Sequence, residues 1–419
     1  MSAPASDPAP VRLLHTSDWH LGRRLFGRSR HDEFAAFLDW LADTLAREAV
    51  DVLLVAGDVF DTTTPGTRTQ QLYYRFLHRV AAGLCRHVVI VGGNHDSPSL
   101  LDAPRELLAA LRVHVVGAPA ADPADEVLVL DDAHGRPALI VAAVPYLRDR
   151  DLRQSEPGEQ AEDKTRKLLA GLRAHYAAVC AAAEARRAEL GGALPLVATG
   201  HLFTAGGRTV EGDGVRELYV GNLAHIGADQ FPPGIDYLAL GHLHVPQVVG
   251  GDPSRRYSGS PLPMGFGEAE QQKQVCLVEF RGRQAGVREL PVPVFRRLRQ
   301  LRGDWPALQA ALRDLAAAGE PEWLEVVYEG EEIVADLRQR LAAEVEGSPL
   351  EILRVRNDRL VARALARQHP AETLDALDPE TVFQRCLDAH EVPTAQRPAL
   401  QQTYREALQT LREAEPAAD

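Results

Sequence analysis

The sequence predicts an α/β fold built around buried strands. Two observations indicate this: short apolar runs alternate with longer segments of helical periodicity, and most of the runs lack the polar alternation of a half-exposed strand. Such runs are typical of parallel strands that are covered on both faces. With 419 residues, of which 45% are hydrophobic and 25% charged, the chain is globular in composition and long enough for two or three cores.

The first and larger domain is expected to span residues 11–281. Its opening elements are predicted as strand 11–15, helix 32–48, strand 52–56, helix 69–82, strand 88–91 and helix 100–111. Further apolar runs predict strands at 138–144, 196–199 and 237–240, and an alanine-rich segment predicts a long helix at 162–189. Residues 1–10 form a tail rich in Ala, Pro and Ser that we expect to be disordered.

A smaller domain is expected over residues 282–360, followed by a linker and a helical hairpin over residues 361–419. The small domain has the predicted order strand 292–298, helix 305–318, strand 323–328, helix 332–344 and strand 350–355. The hairpin carries an apolar stripe that could dock onto a partner's helices or pack back on its own chain. The stripe consists of Val382, Phe383, Cys386, Leu387, Leu400, Tyr404 and Leu408.

Composition restricts the classes of function. Lysine and arginine number 46 against 59 acidic residues, and the resulting net charge of −13 has the wrong sign for binding nucleic acid through overall charge. The four cysteines form no C-x-x-C pair, which indicates a reducing compartment rather than a disulfide framework. No apolar run is long enough for a membrane span and no signal peptide is recognisable, so we expect a cytoplasmic protein.

Five short polar motifs each follow a predicted strand. Because the carboxyl ends of parallel strands meet at one edge of a sheet, we expect these motifs to converge there. A single D-x-H or G-H pair is common by chance, whereas five in this context are not. The motifs are Asp18-Trp19-His20, Gly57-Asp58-Val59-Phe60-Asp61, Gly93-Asn94-His95-Asp96, Gly200-His201 and Gly241-His242-Leu243-His244.

The residue types in these motifs suit a pair of divalent cations. Carboxylate, imidazole and amide oxygen form a mixed donor set without thiolate, which favours Mn, Fe or Zn. Two ions about 3.5–4 Å apart can clamp the oxygens of a phosphoryl transfer and need a bridging carboxylate, for which Asp58 is the candidate. In extended chain, Asp18 and His20 lie on one side, as do His242 and His244.

The ordered motifs resemble those of the calcineurin-like metallophosphoesterases. The stretches 15–22, 56–61 and 257–261 are more closely similar to the SbcD family of nuclease subunits, and the similarity covers nearly the whole chain. The resemblance implies a β-sandwich flanked by helices, a small α/β capping domain and a C-terminal helical hairpin. It further implies two Mn²⁺ ions (Mg²⁺ or other divalent ions being alternatives), a homodimer, DNA as substrate, and a coiled-coil ATPase, SbcC, bound through the hairpin.

The resemblance also assigns roles to individual residues. It implies that one ion is held by Asp18, His20, Asp58 and His244, and the other by Asp58, Asn94, His201 and His242. His95 is assigned a catalytic role as a proton donor to the leaving oxygen, with Asp96 as a candidate partner for its ring. Archaeal and eukaryotic relatives have a histidine where this chain has Asp61, so the role of Asp61 stays open.

The expected function is that of a Mn²⁺-dependent DNA nuclease subunit in DNA repair. The resemblance implies 3′→5′ exonuclease and single-strand or hairpin endonuclease activity. A small-molecule phosphomonoesterase or cyclic-nucleotide phosphodiesterase on the same site is one alternative, and a scaffold that has lost catalysis is another.

Helices 32–48 and 69–82 are candidates for the dimer face. Two arginine groups could contact phosphate or could be solvated surface: Arg23, Arg24, Arg28 and Arg30, and Arg296, Arg297, Arg299 and Arg302.

Overall fold

The structure is a computed structural model of the chain. The residues described in it are 10–153, 159–204, 207–208, 227, 230–330 and 336–357, with eight positions between 383 and 404. The chain divides into two compact units, residues 1–299 and residues 300–419.

The first unit contains two large sheets and six α-helices among its described residues. Its strands are β1 (Val11–Thr16), β2 (Arg24–Leu25), β3 (Arg28–Ser29), β4 (Val52–Ala56), β5 (His87–Val91), β6 (Val113–Val116), β7 (Val127–Asp131), β8 (Pro137–Ala142), β9 (Leu196–His201), β10 (Tyr237–Gly241), β11 (Gln247–Val249), β12 (Asp252–Tyr257), β13 (Gln274–Arg281) and β14 (Gln284–Pro291). Its helices are α1 (His31–Arg47), α2 (Thr67–Ala81), α3 (Pro98–Asp102), α4 (Arg105–Ala109), α5 (Asp149–Leu152) and α6 (Ala161–Glu189).

The two sheets have six strands each and similar central topology. The first has the order β14-β13-β1-β4-β5-β6 and the second has the order β11-β12-β10-β9-β8-β7. In the first sheet, β1, β4, β5 and β6 run parallel to one another. In the second, β8, β9, β10 and β12 do so. The parallel strands of each sheet therefore present their carboxyl ends at one edge.

The sheets stack face to face and each is covered by helices on its outer side, which confirms the predicted α/β sandwich. Alternate residues of a strand serve different layers: Leu13 packs between the two sheets, whereas Leu14 packs toward α1 and α2. On the other side, Ala142 and Ala198 pack with apolar side chains of α6. Because both faces are buried, apolar residues follow one another along these strands, as in Val52–Ala56, which is apolar at every position.

One predicted helix is interrupted in the structure. The segment 100–111, expected as a single helix, forms the two short helices α3 and α4. Pro104 separates them, because proline has no N–H to donate and its ring clashes with the preceding helical turn. The side chain of Ser97 caps α3 by accepting a hydrogen bond from the backbone N–H of Leu100.

The second unit begins with a three-stranded sheet and two helices. Its elements are β15 (Arg297–Gly303), α7 (Trp305–Ala318), β16 (Glu322–Tyr328), α8 (Leu337–Val345) and β17 (Glu351–Arg356), with the sheet order β15-β16-β17. The order of elements is the one predicted from sequence. The boundary differs, because β14 pairs with β13 in the first sheet and the division between the units falls inside β15 rather than at residue 282.

Only part of the predicted C-terminal hairpin is described. Val382, Cys386 and Leu408 of the apolar stripe lie outside the described residues. Of the others, Phe383 stacks on Tyr404 with ring centroids 4.0 Å apart, Leu387 is buried, and Leu400 is exposed. Within the part of the chain that the structure describes, no helix combines the length and apolarity required to cross a bilayer.

Candidate metal centre

The three motifs of the first sheet lie at the ends of β1, β4 and β5. Past the end of β1, the backbone N–H of Asp18 donates to the carbonyl oxygen of Gly57 at 3.0 Å, and that of His20 donates to the carbonyl oxygen of Asp58 at 3.0 Å. Asp18, His20 and Asp58 have φ angles of 53°, 47° and 51°. Left-handed backbone in residues other than glycine is uncommon and concentrates at functional sites, where the surrounding structure enforces it.

The second sheet brings the other two motifs against the same edge. The backbone N–H of His242 donates to the Asp18 carboxylate at 2.9 Å, which joins the ends of β10 and β1. Two glycines permit this approach: a Cβ on Gly241 would lie 1.9 Å from the carbonyl oxygen of Ala56, and one on Gly57 would lie 2.2 Å from Nδ1 of His201. The edges of the two sheets therefore meet where all five motifs converge.

One group of potential ligands consists of Asp18, His20 and His244. All three are at most 2% exposed, and one ligand atom from each lies within 4.8 Å of the others. Nε2 of His20 and Nε2 of His244 face each other at 3.2 Å. Two imidazole nitrogens that converge on the same point beside a carboxylate form an arrangement that suits a shared cation.

A second group consists of Asp58, His201 and His242. These three are also buried and their ligand atoms lie within 4.8 Å of one another. Nε2 of His201 is 3.2 Å from Oδ2 of Asp58 and 2.9 Å from Oδ1 of Asn94. Nε2 of His242 is buried without a hydrogen-bond partner among the described residues. A buried, unpartnered imidazole nitrogen requires an explanation, and a bound cation provides one.

Asp58 lies between the two groups. Its Oδ2 is 3.5 Å from Nε2 of His20 in the first group and 3.2 Å from Nε2 of His201 in the second. Its Oδ1 accepts a hydrogen bond from the backbone N–H of His95 at 2.9 Å, which fixes the orientation of the carboxylate. A single carboxylate that contacts both ligand groups is what a bridged pair of ions requires.

Burial and mutual charge set the protonation of these side chains. Burial alone raises the pKa of Asp58, but His201 and His20 beside it hold that pKa well below its usual value. Burial alone lowers the pKa of His201, whereas the Asp58 carboxylate raises it to about 9. Burial lowers the pKa of His20 and that of His242. Asp58 is therefore ionised at neutral pH and attracts positive charge on both sides.

The residues present fit two divalent cations. The seven predicted ligands supply carboxylate oxygens, imidazole nitrogens and one amide oxygen. The structure brings all seven together at the edge where the two sheets meet. The converging Nε2 atoms of His20 and His244 and the unpartnered Nε2 of His242 are oriented for ligation. A third group of potential ligands, His20, Asp61 and His95, is less suited to a cation, because the Arg23 guanidinium lies 3.2 Å from Oδ1 of Asp61.

His95 lies beside the two ligand groups and is held by Asp61. Its Nδ1 is 2.8 Å from the backbone carbonyl oxygen of Asp61, and its ring contacts that of His20 edge-on with centroids 4.8 Å apart. Since a carbonyl oxygen can only accept, Nδ1 of His95 carries the proton in this contact. Nε2 is then the atom of the ring that can exchange a proton with a bound molecule.

The expectation that Asp96 orients His95 is wrong. The Asp96 carboxylate is fully buried and accepts hydrogen bonds from the backbone N–H groups of Val59, Phe60 and Gly93, at 3.1, 2.9 and 2.9 Å. Burial is the main cause that raises its pKa to about 6. Asp96 therefore joins the loops after β4 and β5, and the orienting group of His95 is the Asp61 carbonyl.

Two features of the site were not identified from the sequence. Oδ1 of Asp61 lies 3.3 Å from Nδ1 of His20, so the Asp61 side chain backs a predicted ligand. Behind His244 lies the buried pair Glu268 and Lys273, which no motif indicated. The one signal in the sequence is the rarity of lysine: apart from Lys164 and Lys167 in α6, Lys273 is the only lysine of the chain.

The arginines after the first motif have structural partners. The Arg30 side chain is fully buried, pairs with Glu33 at 2.8 Å and donates to the carbonyl oxygen of Pro263. Arg23 pairs with Asp61, and Arg24 donates to the carbonyl oxygen of Gly27. Arg30 is therefore not a phosphate contact. In the second unit, Arg302 pairs with Glu329 at 3.5 Å.

Fold and site together define a class of protein. A family model described as calcineurin-like phosphoesterase matches residues 11–246, which include every predicted ligand. A second model, described as type 5 capsule protein repressor C-terminal domain, matches residues 294–391. The first match covers more than half of the chain, so the protein is a calcineurin-like phosphoesterase, a class that binds divalent metal.

Curated relatives place the chain within that class. The SbcD subunit of the nuclease SbcCD from Escherichia coli strain K12 is 38% identical over 411 residues, which is 96% of this chain and 98% of the relative. The protein of the same name from Rhodobacter capsulatus is 36% identical over 389 residues, which is 89% of this chain and 93% of the relative. That of Bacillus subtilis is 34% identical over 273 residues, which is 65% of this chain and 66% of the relative. The chain belongs to the SbcD family.

Proposed function

We propose that this protein is the nuclease subunit of an SbcCD-like complex and hydrolyses DNA phosphodiester bonds with two divalent cations, Mn²⁺ in both positions. The observation that carries the proposal is the position of Asp58, whose Oδ2 contacts a histidine of each ligand group. The nuclease names of the relatives support a nucleic acid as the substrate, and the resemblance to the SbcD family implies that it is DNA.

The seven predicted ligands divide between the two ions as the resemblance implies. Asp18, His20 and His244 would hold one ion and Asn94, His201 and His242 would hold the other, with Asp58 available to both. When bound, the ions neutralise phosphate charge and lower the pKa of water toward about 7. They also reverse the local field, so a net charge of −13 does not oppose a polyanionic substrate at the site.

His95 acts on the leaving group. With Nδ1 donating to the Asp61 carbonyl, the doubly protonated imidazolium ring gives its Nε2 proton to the departing oxygen and is left as the neutral ring with its proton on Nδ1. An imidazole is suited to this step because its ordinary pKa lies near neutrality. Asp61 thus contacts two rings: its carbonyl oxygen accepts from Nδ1 of His95, and its carboxylate oxygen Oδ1 lies 3.3 Å from Nδ1 of His20.

A cleavage assay separates this function from a small-molecule phosphatase on the same site. Linear duplex DNA and hairpin DNA are incubated with the full chain in Mn²⁺, Mg²⁺ or chelator, alone and with the coiled-coil ATPase, and a nitrophenyl phosphodiester is assayed in parallel. We expect Mn²⁺-dependent DNA cleavage from 3′ ends and at hairpins. Turnover of the small ester without cleavage of either DNA would contradict the proposal.

The C-terminal hairpin is proposed as the binding site for the ATPase. The stacking of Phe383 on Tyr404 uses part of the apolar stripe within the hairpin, whereas Leu400 is 40% exposed and available for a partner. We expect Leu400→Glu to reduce co-purification with the ATPase. Leu107→Glu, at an exposed leucine of the first unit, is the matched control and should bind as wild type does. Equal binding by both variants would contradict this role.

We further propose a homodimer formed through α1 and α2. The two helices are neighbours, and Tyr74 of α2 is 37% exposed. A half-exposed aromatic side chain is typical of interfaces. Sedimentation of wild type should give a dimer, and Tyr74→Glu should shift it toward monomer while Leu107→Glu does not. A dimer that persists in Tyr74→Glu would place the interface elsewhere.

A further inference from the structure

A buried lysine lies behind the metal centre and holds two parts of it. Nζ of Lys273, which is 4% exposed, donates to the backbone carbonyl oxygen of His244 at 3.0 Å and to Oε2 of Glu268 at 2.5 Å. Oγ of Ser260 and Oε1 of Gln271 also lie within reach, each at 3.2 Å, so the three N–H groups have four acceptors around them. An ammonium group can be buried only if its charge and its donors are satisfied, and here they are.

The carboxylate of Glu268 has one satisfied oxygen and one that is not. Oε2 accepts from Lys273 and from the backbone N–H of Met264. Oε1 is buried without a hydrogen bond among the described residues and lies 3.7 Å from Nδ1 of His244. An unpaired oxygen on a fully buried carboxylate is costly unless a donor reaches it in the functional state.

The orientation of His244 supplies that donor. Its Nε2 faces the cation position shared with His20, at 3.2 Å from Nε2 of that residue. A histidine that ligates metal through Nε2 carries its proton on Nδ1. The proton of His244 would then point toward Oε1 of Glu268, the oxygen that lacks a partner.

We propose that Glu268 and Lys273 are positioning residues for the ion of the group Asp18, His20 and His244, and that both act through His244. Glu268 accepts a hydrogen bond from Nδ1–H of the His244 ring. Lys273 fixes the Glu268 carboxylate and the backbone of His244. This inference rests on the two-ion site proposed above. It concerns one ion only, because His201 of the other group directs its Nδ1 to the backbone carbonyl oxygen of Ala56 at 3.0 Å. A carboxylate raises the basicity of the imidazole it accepts from.

Titration of Mn²⁺ into the full-length protein by calorimetry tests the proposal without reference to cleavage. Wild type should bind two ions. Glu268→Gln keeps the shape of the side chain and removes its charge, so it should weaken one of the two ions by about 10- to 100-fold and leave the other unchanged. Glu268→Asp, which restores the charge, should recover part of the lost affinity. Lys273→Gln should weaken the same ion.

The matched control is Glu126→Gln. Glu126 is also fully buried and also contacts a histidine, His175 at 3.0 Å, but it lies outside the ligand groups. It should bind both ions as wild type does. Wild-type Mn²⁺ affinity in folded Glu268→Gln, Glu268→Asp and Lys273→Gln, or equal weakening of both ions, would overturn the positioning role. Failure of wild type to bind two ions would instead overturn the proposed site.

Should Glu268→Gln not fold, as judged by circular dichroism, Lys273→Gln and Glu268→Asp decide the outcome. Both retain a carboxylate at residue 268, and each disturbs its placement in a different way. Weakening of one ion in either variant supports the proposal. Two ions bound with wild-type affinity in both variants contradict it.

Discussion

Nδ1 of His95 lies 2.8 Å from the backbone carbonyl oxygen of Asp61. This contact fixes the ring by a group that no side-chain substitution at residue 61 removes. It also separates two tasks that the site must perform, since the Asp61 carboxylate is left for His20. Substitutions at residues 95 and 61 should therefore have different consequences.

Replacing His95 by alanine should slow cleavage by about 10²-fold or more without releasing metal. His95 belongs to neither of the two ligand groups that meet at Asp58, and loss of a proton donor costs about 10²-fold or more in rate. Single-turnover cleavage of duplex DNA gives the rate, and calorimetric titration with Mn²⁺ gives the stoichiometry. Loss of an ion in His95→Ala would show that this histidine is a ligand.

Asp61→Asn should weaken metal binding while leaving the His95 ring in place. The variant keeps the backbone carbonyl but removes the charge 3.3 Å from Nδ1 of His20, and loss of such a partner costs about 10- to 100-fold in metal affinity. The readout is the Mn²⁺ concentration for half-maximal cleavage, which should rise, while the rate at saturating Mn²⁺ changes less. Asp39→Asn, at an exposed ion pair with Arg79, is the control.

Asp96→Asn should destabilise the protein. An amide offers one acceptor oxygen where the carboxylate accepts three backbone hydrogen bonds, and an unsatisfied buried donor costs about 1–3 kcal/mol. Urea denaturation should show a lower free energy of unfolding. If Asp96→Asn were as stable as wild type but cleaved DNA as slowly as His95→Ala, Asp96 would have the catalytic role that the hydrogen bonds of its carboxylate argue against.

The histidine pair His87 and His114 should make stability fall in mild acid. Nδ1 of His87 is 3.2 Å from Nε2 of His114, and burial lowers the pKa of both, that of His114 to about 4. Since the unfolded value is about 6.5, the stabilising contribution is complete above that pH and is lost as pH falls toward 4. The free energy of unfolding at pH 7 and pH 5 should differ less in His114→Phe than in wild type. Equal differences would contradict the assignment.

Five central strands of the first unit, β1, β4, β5, β9 and β10, could be predicted because each is a mainly apolar run that ends in a polar motif. The strands β6, β7 and β11 to β14 carry no such motif and were not predicted. Strands such as Val52–Ala56 are apolar at every position, and their ends are marked by residues such as Asp58. Periodicity could not divide the strands between two stacked sheets, since a strand covered by helices and one covered by another sheet have the same pattern. The sandwich was expected only from the resemblance.

Contacts between distant segments explain what the sequence did not predict. Glu268 and Lys273 follow no strand that carries a motif, and only the folded chain brings them behind His244. Asp96 was assigned to its neighbour His95 because the two are adjacent in sequence. In the structure its oxygens instead accept from Val59 and Phe60, more than 35 positions earlier in the chain.

Each ligand group draws on both sheets: Asp18 and His20 follow β1 of one sheet, whereas His244 follows β10 of the other. An ion held there would act as a cross-link between the halves of the sandwich, and neither half alone could retain it. Because such an ion would bind the folded chain more tightly than the unfolded one, the concentration of metal and the free energy of unfolding become coupled. Removal of the metal would thus lower the free energy of unfolding as well as the activity.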